Sequence, residues 1–296
     1  MTLLPRLLGS FAVSACLALL ITRHNLRLPL TQEELRGPGV TGQLTVRVNT
    51  FRRLDLLDFF LDYYKSCDAV KQIQVVWSDQ KSKPPTEWLS RYPQGKVLFE
   101  VHSKDSLNNR FIPLQEAPTE AVLSIDDDLI IPCNLIGDTL RVWNSFPRAL
   151  VGFSPRMITW DTNSGNILYL RWQHTWWSGI YSVMLTKIAI LHRDYLENFS
   201  KAVPLAFQDH VNKIRNCEDI AMAHIVAMQS KAAPVWIDGV VYEVSENGIS
   251  SGQSHFHDRS QCISLLSNLT GEFPWVTGQQ KISRMHLQDL GFLQQF

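Results

Sequence analysis

The sequence carries no net charge, because 28 Lys and Arg residues balance 28 Asp and Glu residues. This balance gives no electrostatic reason to expect binding to nucleic acid or to an anionic membrane surface. No CxxC spacing occurs, so a zinc site built on paired cysteines is not indicated. A P-loop pattern is absent, and no predicted strand is followed by a G-x-G-x-x-G turn. These absences argue against Walker-type phosphoryl transfer and against dinucleotide chemistry.

The first 43 residues differ from the rest of the chain. Residues 7–21 contain no charged side chain and lie between Arg6 and the pair Arg23-His24. Such a segment is shorter than the roughly 20 residues of a bilayer span and also fits a secretory h-region. It is predicted to be a signal anchor or a cleaved signal, and basic residues on both sides leave its orientation open. The predicted organisation is a cytosolic tail at 1–6, an anchor at 7–22, a stem at 23–43, a globular domain at 44–280 and a C-terminal tail at 281–296.

Two features suit a body that lies in the secretory lumen. The glycosylation acceptor pattern N-x-S/T occurs at Asn198 and at Asn268. Outside the anchor lie the cysteines Cys67, Cys133, Cys217 and Cys262. Three full pairings of these cysteines are open, and at least one disulfide is expected in an oxidising compartment.

The remaining chain, 45% hydrophobic and 19% charged overall, is predicted to be globular and of the α/β class. Apolar spacing predicts strands at 44–49, 71–77, 96–101, 121–125, 183–191 and 235–244, and helices at 54–64, 135–143 and 219–229. Strands that alternate with helices predict a parallel, doubly wound sheet. Residues 247–259, rich in Gly, Ser and His, are predicted to form a long loop.

The stretch of greatest functional interest is the acidic triplet Asp126-Asp127-Asp128, which directly follows the apolar strand 121–125. Ligands of open α/β sheets bind outside the carboxyl ends of strands, so the triplet is predicted to face a ligand. Adjacent carboxylates repel one another unless a cation or hydrogen-bond donors offset their charge, and oxygen ligands favour Mg²⁺ or Mn²⁺. The alternative is a solvated acidic turn before a helix that begins near Pro132.

The second half offers further candidates, each with a structural alternative. Asp219 is either a carboxylate aimed into the cleft or an acid in the first turn of a helix capped by Asn216. Arg259 is a candidate for phosphate binding, or else a surface ion pair. His255 and His257 form an HxH pair, which is weak evidence for a metal. The tryptophans suit sugar faces, although most are predicted to lie in the core: Trp160, Trp172, Trp176 and Trp177.

In several segments the chain resembles exostosin-type transferases, glycosyltransferase family 64, from about residue 44 to about residue 277. The segments are Val75-Val76-Trp77, Ser106 to Phe111, Ser124 to Asp128, Val151 to Phe153 with Pro155-Arg156, Tyr181 to Leu185, Asn216 to Met222, and Arg259 to Cys262. The wording LNNRF and RNCEDIAM is most similar to the plant branch, which includes transferases that glycosylate inositol phosphorylceramides. The resemblance implies a GT-A fold with a mixed sheet flanked by helices, a nucleotide-sugar donor, a divalent cation (Mn²⁺, or Mg²⁺), and retention of the anomeric configuration.

The resemblance also implies residue roles. Asp128 would be the direct metal ligand, and Asp219 would lie near the anomeric carbon with Asn216 beside it. Arg259 would contact the donor diphosphate, and Cys217 would form a disulfide with Cys262. The remaining donor-binding residues would be Arg53, Asn109, Arg110, Asp126 and Asp127. Animal members have an asparagine in place of Ser78, so the base of the nucleotide stays open.

The hypothesis from these residues is hexose transfer from a nucleotide diphosphate to the hydroxyl of a glycan or glycolipid. The favoured reaction moves mannose from GDP-mannose to glucuronosyl inositol phosphorylceramide, in a single-pass type II protein of the Golgi membrane with a lumenal catalytic domain. An alternative donor is a UDP-N-acetylhexosamine. A glycoside hydrolase is a further alternative, because such enzymes also use paired carboxylates. The alternative of another class is a non-catalytic sugar-binding protein of the Golgi.

Overall fold

The computed structural model describes residues 42–92, 95–244 and 255–283. The predicted cytosolic tail, the anchor, nearly all of the stem and residues 284–296 of the C-terminal tail lie outside these residues. Among the described helices, none is both long enough and apolar enough to cross a membrane.

Within the described residues, the elements are helices α1 to α8, a 3-10 helix and strands β1 to β14. The helices are α1 (Leu54–Tyr64), α2 (Thr86–Arg91), the 3-10 helix (Leu107–Phe111), α3 (Cys133–Ser145), α4 (Trp172–Ser178), α5 (Arg193–Ala202), α6 (Leu205–Ile214), α7 (Glu218–Ser230) and α8 (His255–Thr270). The strands are β1 (Leu44–Thr50), β2 (Val70–Trp77), β3 (Val97–Val101), β4 (Ala121–Asp126), β5 (Leu129–Ile130), β6 (Val151–Gly152), β7 (Pro155–Arg156), β8 (Ile158–Trp160), β9 (Ile167–Tyr169), β10 (Val183–Met184), β11 (Ile188–His192), β12 (Val235–Asp238), β13 (Tyr242–Glu243) and β14 (Lys281–Ser283).

A mixed sheet organises the described residues. Eight strands lie in the order β14-β12-β6-β11-β4-β1-β2-β3. The prediction of parallel pairing is confirmed for β1 with β2, for β1 with β4 and for β2 with β3. It is wrong at β11, which pairs antiparallel with both β4 and β6.

Two predicted strands are each divided in the structure. The run 183–191 splits because β10 pairs with β7 outside the main sheet, whereas β11 enters the sheet beside β4. The run 235–244 splits after Asp238, and β13 then pairs with β5. At the other end, β14 pairs parallel with β12, so the sheet continues past the predicted domain boundary at residue 280.

Helices cover both faces of the sheet. Successive side chains of a strand point to opposite faces, so the apolar residues of a central strand pack against a helical layer on each side. Leu123 and Ile125 of β4 belong to the layer that contains α1 and α3, whereas Val122 belongs to the layer of α5 to α8. Helix α1 contributes its buried stripe at the spacing i, i+3, i+4, i+7, formed by Leu57, Phe60, Leu61 and Tyr64. This stripe is the pattern that predicted the helix from the sequence.

Two disulfides tie distant segments together. Cys67, just after α1, is bonded to Cys133, the first residue of α3, with 5.2 Å between the Cα atoms. Cys217 is bonded to Cys262, as the resemblance implied, with 6.4 Å between the Cα atoms. The predicted loop 247–259 is wrong at its C-terminal end, because residues 255–259 form the first turns of α8. Arg259 and Cys262 therefore lie on a helix, whereas residues 245–254 lie outside the described residues.

Candidate active site

A cavity of about 500 Å³ opens at the carboxyl ends of β1, β2 and β4, the edge at which ligands bind to sheets of this kind. Eight of the predicted site residues line it: Arg53, Arg110, Asp126, Asp127, Asp128, Asn216, Asp219 and Arg259. The ninth, Asn109, is buried beside the cavity, where its amide nitrogen donates to Ser78 Oγ at 3.0 Å and to the Lys104 carbonyl at 2.7 Å.

The acidic triplet forms one wall of the cavity and is held by basic side chains. Arg110 Nη2 donates to Asp126. Arg53 Nη1 donates to Asp127 at 3.1 Å and to Asp128 at 2.8 Å, so that one guanidinium joins the two carboxylates. Asp127 and Asp128 are only 4% and 7% exposed, which makes the alternative of a solvated acidic turn wrong.

The central carboxylate of the triplet is costly to ionise. Burial raises the pKa of Asp127 to about 6, and the negative charges of Asp128 and Asp126 add to the shift. A hydrogen bond from Thr50 Oγ1, 2.9 Å long, and the charge of Arg53 oppose it. Additional positive charge near the triplet would therefore stabilise this wall of the cavity.

A second cluster lies on the wall formed by α7, α8 and β9. Arg259 Nη2 donates to Asp219 Oδ2 at 2.9 Å, and Arg259 Nη1 donates to Tyr169 Oη at 3.3 Å. Arg259 and Asp219 are 7% and 4% exposed. The alternative reading of Arg259 as a surface ion pair is thus wrong: it forms a buried pair inside the cavity.

The turn before α7 brings Asp219 to the cavity through unusual backbone angles. Arg215 and Cys217 have φ angles of 55° and 80°, in the left-handed region that costs a non-glycine residue about 1–3 kcal/mol. Asn216, between them, accepts a 2.8 Å hydrogen bond on Oδ1 from the Cys217 backbone nitrogen, and Cys217 stands at the N-cap position predicted for Asn216. The bond from Cys217 to Cys262 holds this turn against α8.

We expect the Cys217–Cys262 disulfide to matter for catalysis as well as for stability. Replacing both of these cysteines with Ala should lower the free energy of unfolding by about 2–4 kcal/mol. It should also lower kcat at least about tenfold, because the strained turn no longer fixes Asp219 opposite Arg259. The matched control replaces Cys67 and Cys133, which lie away from the cavity lining. Equal losses of kcat in the two double variants, compared at equal folded fraction, would show that the turn keeps its conformation without the Cys217–Cys262 disulfide.

Glu218 is a cavity residue that sequence reasoning missed, although it lies in the quoted segment beside Asp219. Burial raises the pKa of Glu218 to about 7, and the charge of Asp219 adds to the shift, while Arg110 and Arg259 oppose it. Only the three-dimensional neighbours reveal this environment. Other missed lining residues include Thr50, Arg156, Tyr169, Lys187 and Arg215.

The raised pKa of Glu218 predicts a pH-dependent stability. The folded pKa, about 7, exceeds the ordinary value of 4.5, so ionisation penalises the folded state as the pH rises from about 4.5 to 7. Glu218→Gln removes this penalty and should raise the unfolding temperature at pH 8. The advantage over wild type should shrink steadily toward pH 5 in denaturation curves recorded at intermediate pH values. A constant difference at every pH would contradict this assignment.

The structure also corrects the prediction for the four tryptophans, and it describes the surroundings of His257. The four tryptophans predicted to lie mostly in the core are each about half exposed, with Trp160 at 52% and Trp177 at 62%. His257 is exposed, and its ring Nε2 lies 3.0 Å from Gln261 Nε2. No group of three His, Cys, Asp or Glu side chains in the described ranges is arranged to hold a metal ion.

Comparison with known proteins assigns the chain to a family. Residues 44–287 match the model of the glycosyl transferase family 64 domain. Glycosylinositol phosphorylceramide mannosyl transferase 1 of Arabidopsis thaliana is 36% identical over 253 residues, which cover 80% of this chain and 75% of that protein. Exostosin-2 of Mus musculus is 31% identical over 259 residues, which cover 83% of this chain and 34% of that protein. The chain thus spans about a third of that exostosin.

Among solved structures, the crystal structure of GalNAc-T7 with UDP, GalNAc and Mn²⁺ aligns with a TM-score of 0.36 and 12% identity, over 53% of this chain and 36% of that one. This likeness is too partial to carry an argument about the site. The family model covers most of the chain, including both walls of the cavity. The chain belongs to glycosyl transferase family 64.

Proposed function

We propose that this protein transfers a hexose from a nucleotide diphosphate donor, bound in the cavity, to a hydroxyl group of a glycolipid or glycan acceptor. The supporting observation is the pairing of two charged clusters in one cavity, the acidic triplet and the buried Asp219–Arg259 pair. In this proposal the sheet, with its cavity at the carboxyl ends, is the donor-binding half of a GT-A domain. Transfer proceeds with retention of the anomeric configuration.

The charge of the cavity supports a divalent cation as part of the donor complex. Seven acidic and six basic side chains line the cavity, so a diphosphate would enter a region with no excess positive charge. Carboxylate oxygens are suitable ligands for Mn²⁺ or Mg²⁺, and we assign Asp128 as the direct ligand. Because the described residues hold no complete ligand set of their own, the donor diphosphate would supply further oxygens. When bound, the ion supplies positive charge that stabilises the departing diphosphate.

The other roles in the proposed reaction are assigned to residues of the chain. Arg259 donates to diphosphate oxygens, which shifts part of its charge away from the pairing with Asp219. Asp219 then stabilises positive charge at the anomeric carbon, and Asn216 lies beside it. Arg53, Asn109 and Arg110 bind or position the nucleotide, with Ser78 near the base.

We propose GDP-mannose as donor and glucuronosyl inositol phosphorylceramide as acceptor. This choice is supported by the name of the Arabidopsis thaliana relative and by the share of both chains that aligns with it. A UDP-N-acetylhexosamine is the alternative donor, which the resemblance to exostosin-type transferases leaves open. The same proposal places residues 7–22 in the Golgi membrane as an anchor and the catalytic domain in the lumen.

Nucleotide-dependent thermal stabilisation tests the donor assignment. A ligand that binds only the folded form at about 100 times its Kd stabilises it by about 2.7 kcal/mol. GDP with Mn²⁺ should raise the unfolding temperature more than UDP with Mn²⁺, and a chelator should abolish the shift. Transfer of mannose from GDP-mannose to the acceptor, with release of GDP, should require Mn²⁺ as well. Binding without turnover on any acceptor would instead support the non-catalytic sugar-binding protein.

A further inference from the structure

A second cavity of about 470 Å³ lies between the β8–β9 hairpin and the C-terminal half of α8. Its lining includes Trp160, Asn166, Ser267, Asn268, Glu272 and Phe273. The rings of Trp160 and Phe273 lie 5.1 Å apart, and they are 52% and 42% exposed. This cavity is separate from the one that contains Asp219 and Arg259.

The chemistry of this lining fits a saccharide. Exposed aromatic faces cover the apolar faces of sugar rings, while amide, hydroxyl and carboxylate groups at the edge serve sugar hydroxyls. Trp160 and Phe273 are about half exposed, so a ligand can reach their rings from solvent.

The chain carries a candidate attachment site for a glycan beside this cavity. Asn268 is exposed in the wall of this cavity and begins the acceptor pattern Asn268-Leu269-Thr270. We infer that the first N-acetylglucosamine of a glycan attached to Asn268 lies against Trp160 and Phe273. The bond forms between Asn268 Nδ2 and the anomeric carbon of a lipid-linked oligosaccharide, whose lipid diphosphate leaves as the amide nitrogen loses a proton.

A glycan held here stabilises the wall of the catalytic cavity. Strand β9 contributes Ile167 to the second cavity and, two residues later, Tyr169 to the first. The Tyr169 backbone nitrogen donates to Ser260 Oγ of α8 at 3.0 Å, and Arg259 donates to the Tyr169 hydroxyl. A sugar that bridges β8 and the end of α8 therefore restrains the contact that keeps Tyr169 beside Arg259.

The test uses the full chain produced in a eukaryotic secretory host, with glycopeptide mass measured at both acceptor sites. Asn268 should carry a glycan, and Asn268→Gln should lower the unfolding temperature by about 2–4 °C. Trp160→Ala should lose a similar amount alone but nothing further in the Asn268→Gln background, because the two groups act as one pair. Trimming the glycan to its first sugar should preserve the stability. Asn198→Gln is the matched control, since Asn198 lies on α5 and does not line this cavity.

The inference rests on the lumenal orientation in the proposed function, and the outcomes separate the two. Reduced cysteines, with no sugar on Asn198 or Asn268, would overturn the lumenal orientation and this inference together. Formed disulfides with an unmodified Asn268, or additive losses from Asn268→Gln and Trp160→Ala, would overturn this inference alone. GDP-mannose turnover by the wild-type protein reports on the catalytic proposal independently.

Discussion

Asp128→Asn is expected to lower kcat by about 10²–10³-fold while the protein stays folded. The substitution keeps the shape of the side chain and an oxygen that accepts a hydrogen bond from Arg53 Nη1. It removes the negative charge assigned to metal binding, so the Mn²⁺-dependent stabilisation by the donor should vanish as well. Loss of one of three neighbouring carboxylates relieves repulsion with Asp127, and the unfolding temperature should therefore not fall.

The matched control for Asp128→Asn is Asp194→Asn. Asp194 also pairs with an arginine, Arg148, at 3.0 Å, but both side chains are exposed. Exposed pairs of this kind contribute about 0–1 kcal/mol, so kcat should stay within about twofold of wild type. Normal turnover of folded Asp128→Asn in excess Mn²⁺ would refute the assignment of Asp128, whereas loss of turnover in the control would point to damage unrelated to the cavity.

The parts of the fold that the sequence predicts are those fixed by local pattern. Helix α1 follows from the spacing of its four buried residues, and β4 follows from an apolar run that ends at the acidic triplet. The position of the cavity then follows from the rule that parallel strands present their carboxyl ends at one edge. For this reason the position of the triplet could be predicted from the sequence, whereas Asp219 and Arg259 were candidates from their own segments and from the family resemblance.

The parts that the sequence does not predict depend on partners far away in the chain. The apolar run 183–191 looks continuous, but β10 and β11 pair with different strands, and only tertiary pairing separates them. The polar composition of residues 255–259 resembles a loop, yet the disulfide at Cys262 and packing against β9 hold them in α8. Tyr169 and Arg259 are 90 residues apart, so no local pattern joins them.

Arg47→Met is expected to be the most destabilising single substitution considered. The sequence alone did not indicate the role of this buried arginine. Arg47 is 0% exposed and donates to Glu100 Oε2 at 2.7 Å. Burial alone would raise the pKa of Glu100, but His102, 3.8 Å away, and Arg47 lower it to about 2. Removing Arg47 leaves that carboxylate buried without its cation, which costs about 3–5 kcal/mol. The unfolding temperature should fall by roughly 10 °C or more.

Arg47 also positions Asn109 and Arg110, which are proposed to bind the donor. Its Nε donates to the Arg110 carbonyl at 2.6 Å, and Nη2 donates to the Asn109 carbonyl at 3.2 Å. These bonds hold the 3-10 helix that carries Asn109 against Ser78 and Arg110 against Asp126. Arg47→Met should therefore weaken donor binding as well as stability, as measured by calorimetry at a temperature where the variant is folded.

A double variant separates the two roles of Arg47. Arg47→Met with Glu100→Gln removes the uncompensated carboxylate and should recover part of the lost stability. It cannot restore the bonds to the carbonyls of Asn109 and Arg110, so donor affinity should stay low. Arg47→Lys keeps the charge but lacks the planar fork that reaches several carbonyls at once, and it should likewise be more stable than Arg47→Met without regaining donor affinity. Donor affinity equal to wild type in the double variant would show that the 3-10 helix holds its position without Arg47, and that Arg47 contributes to stability alone.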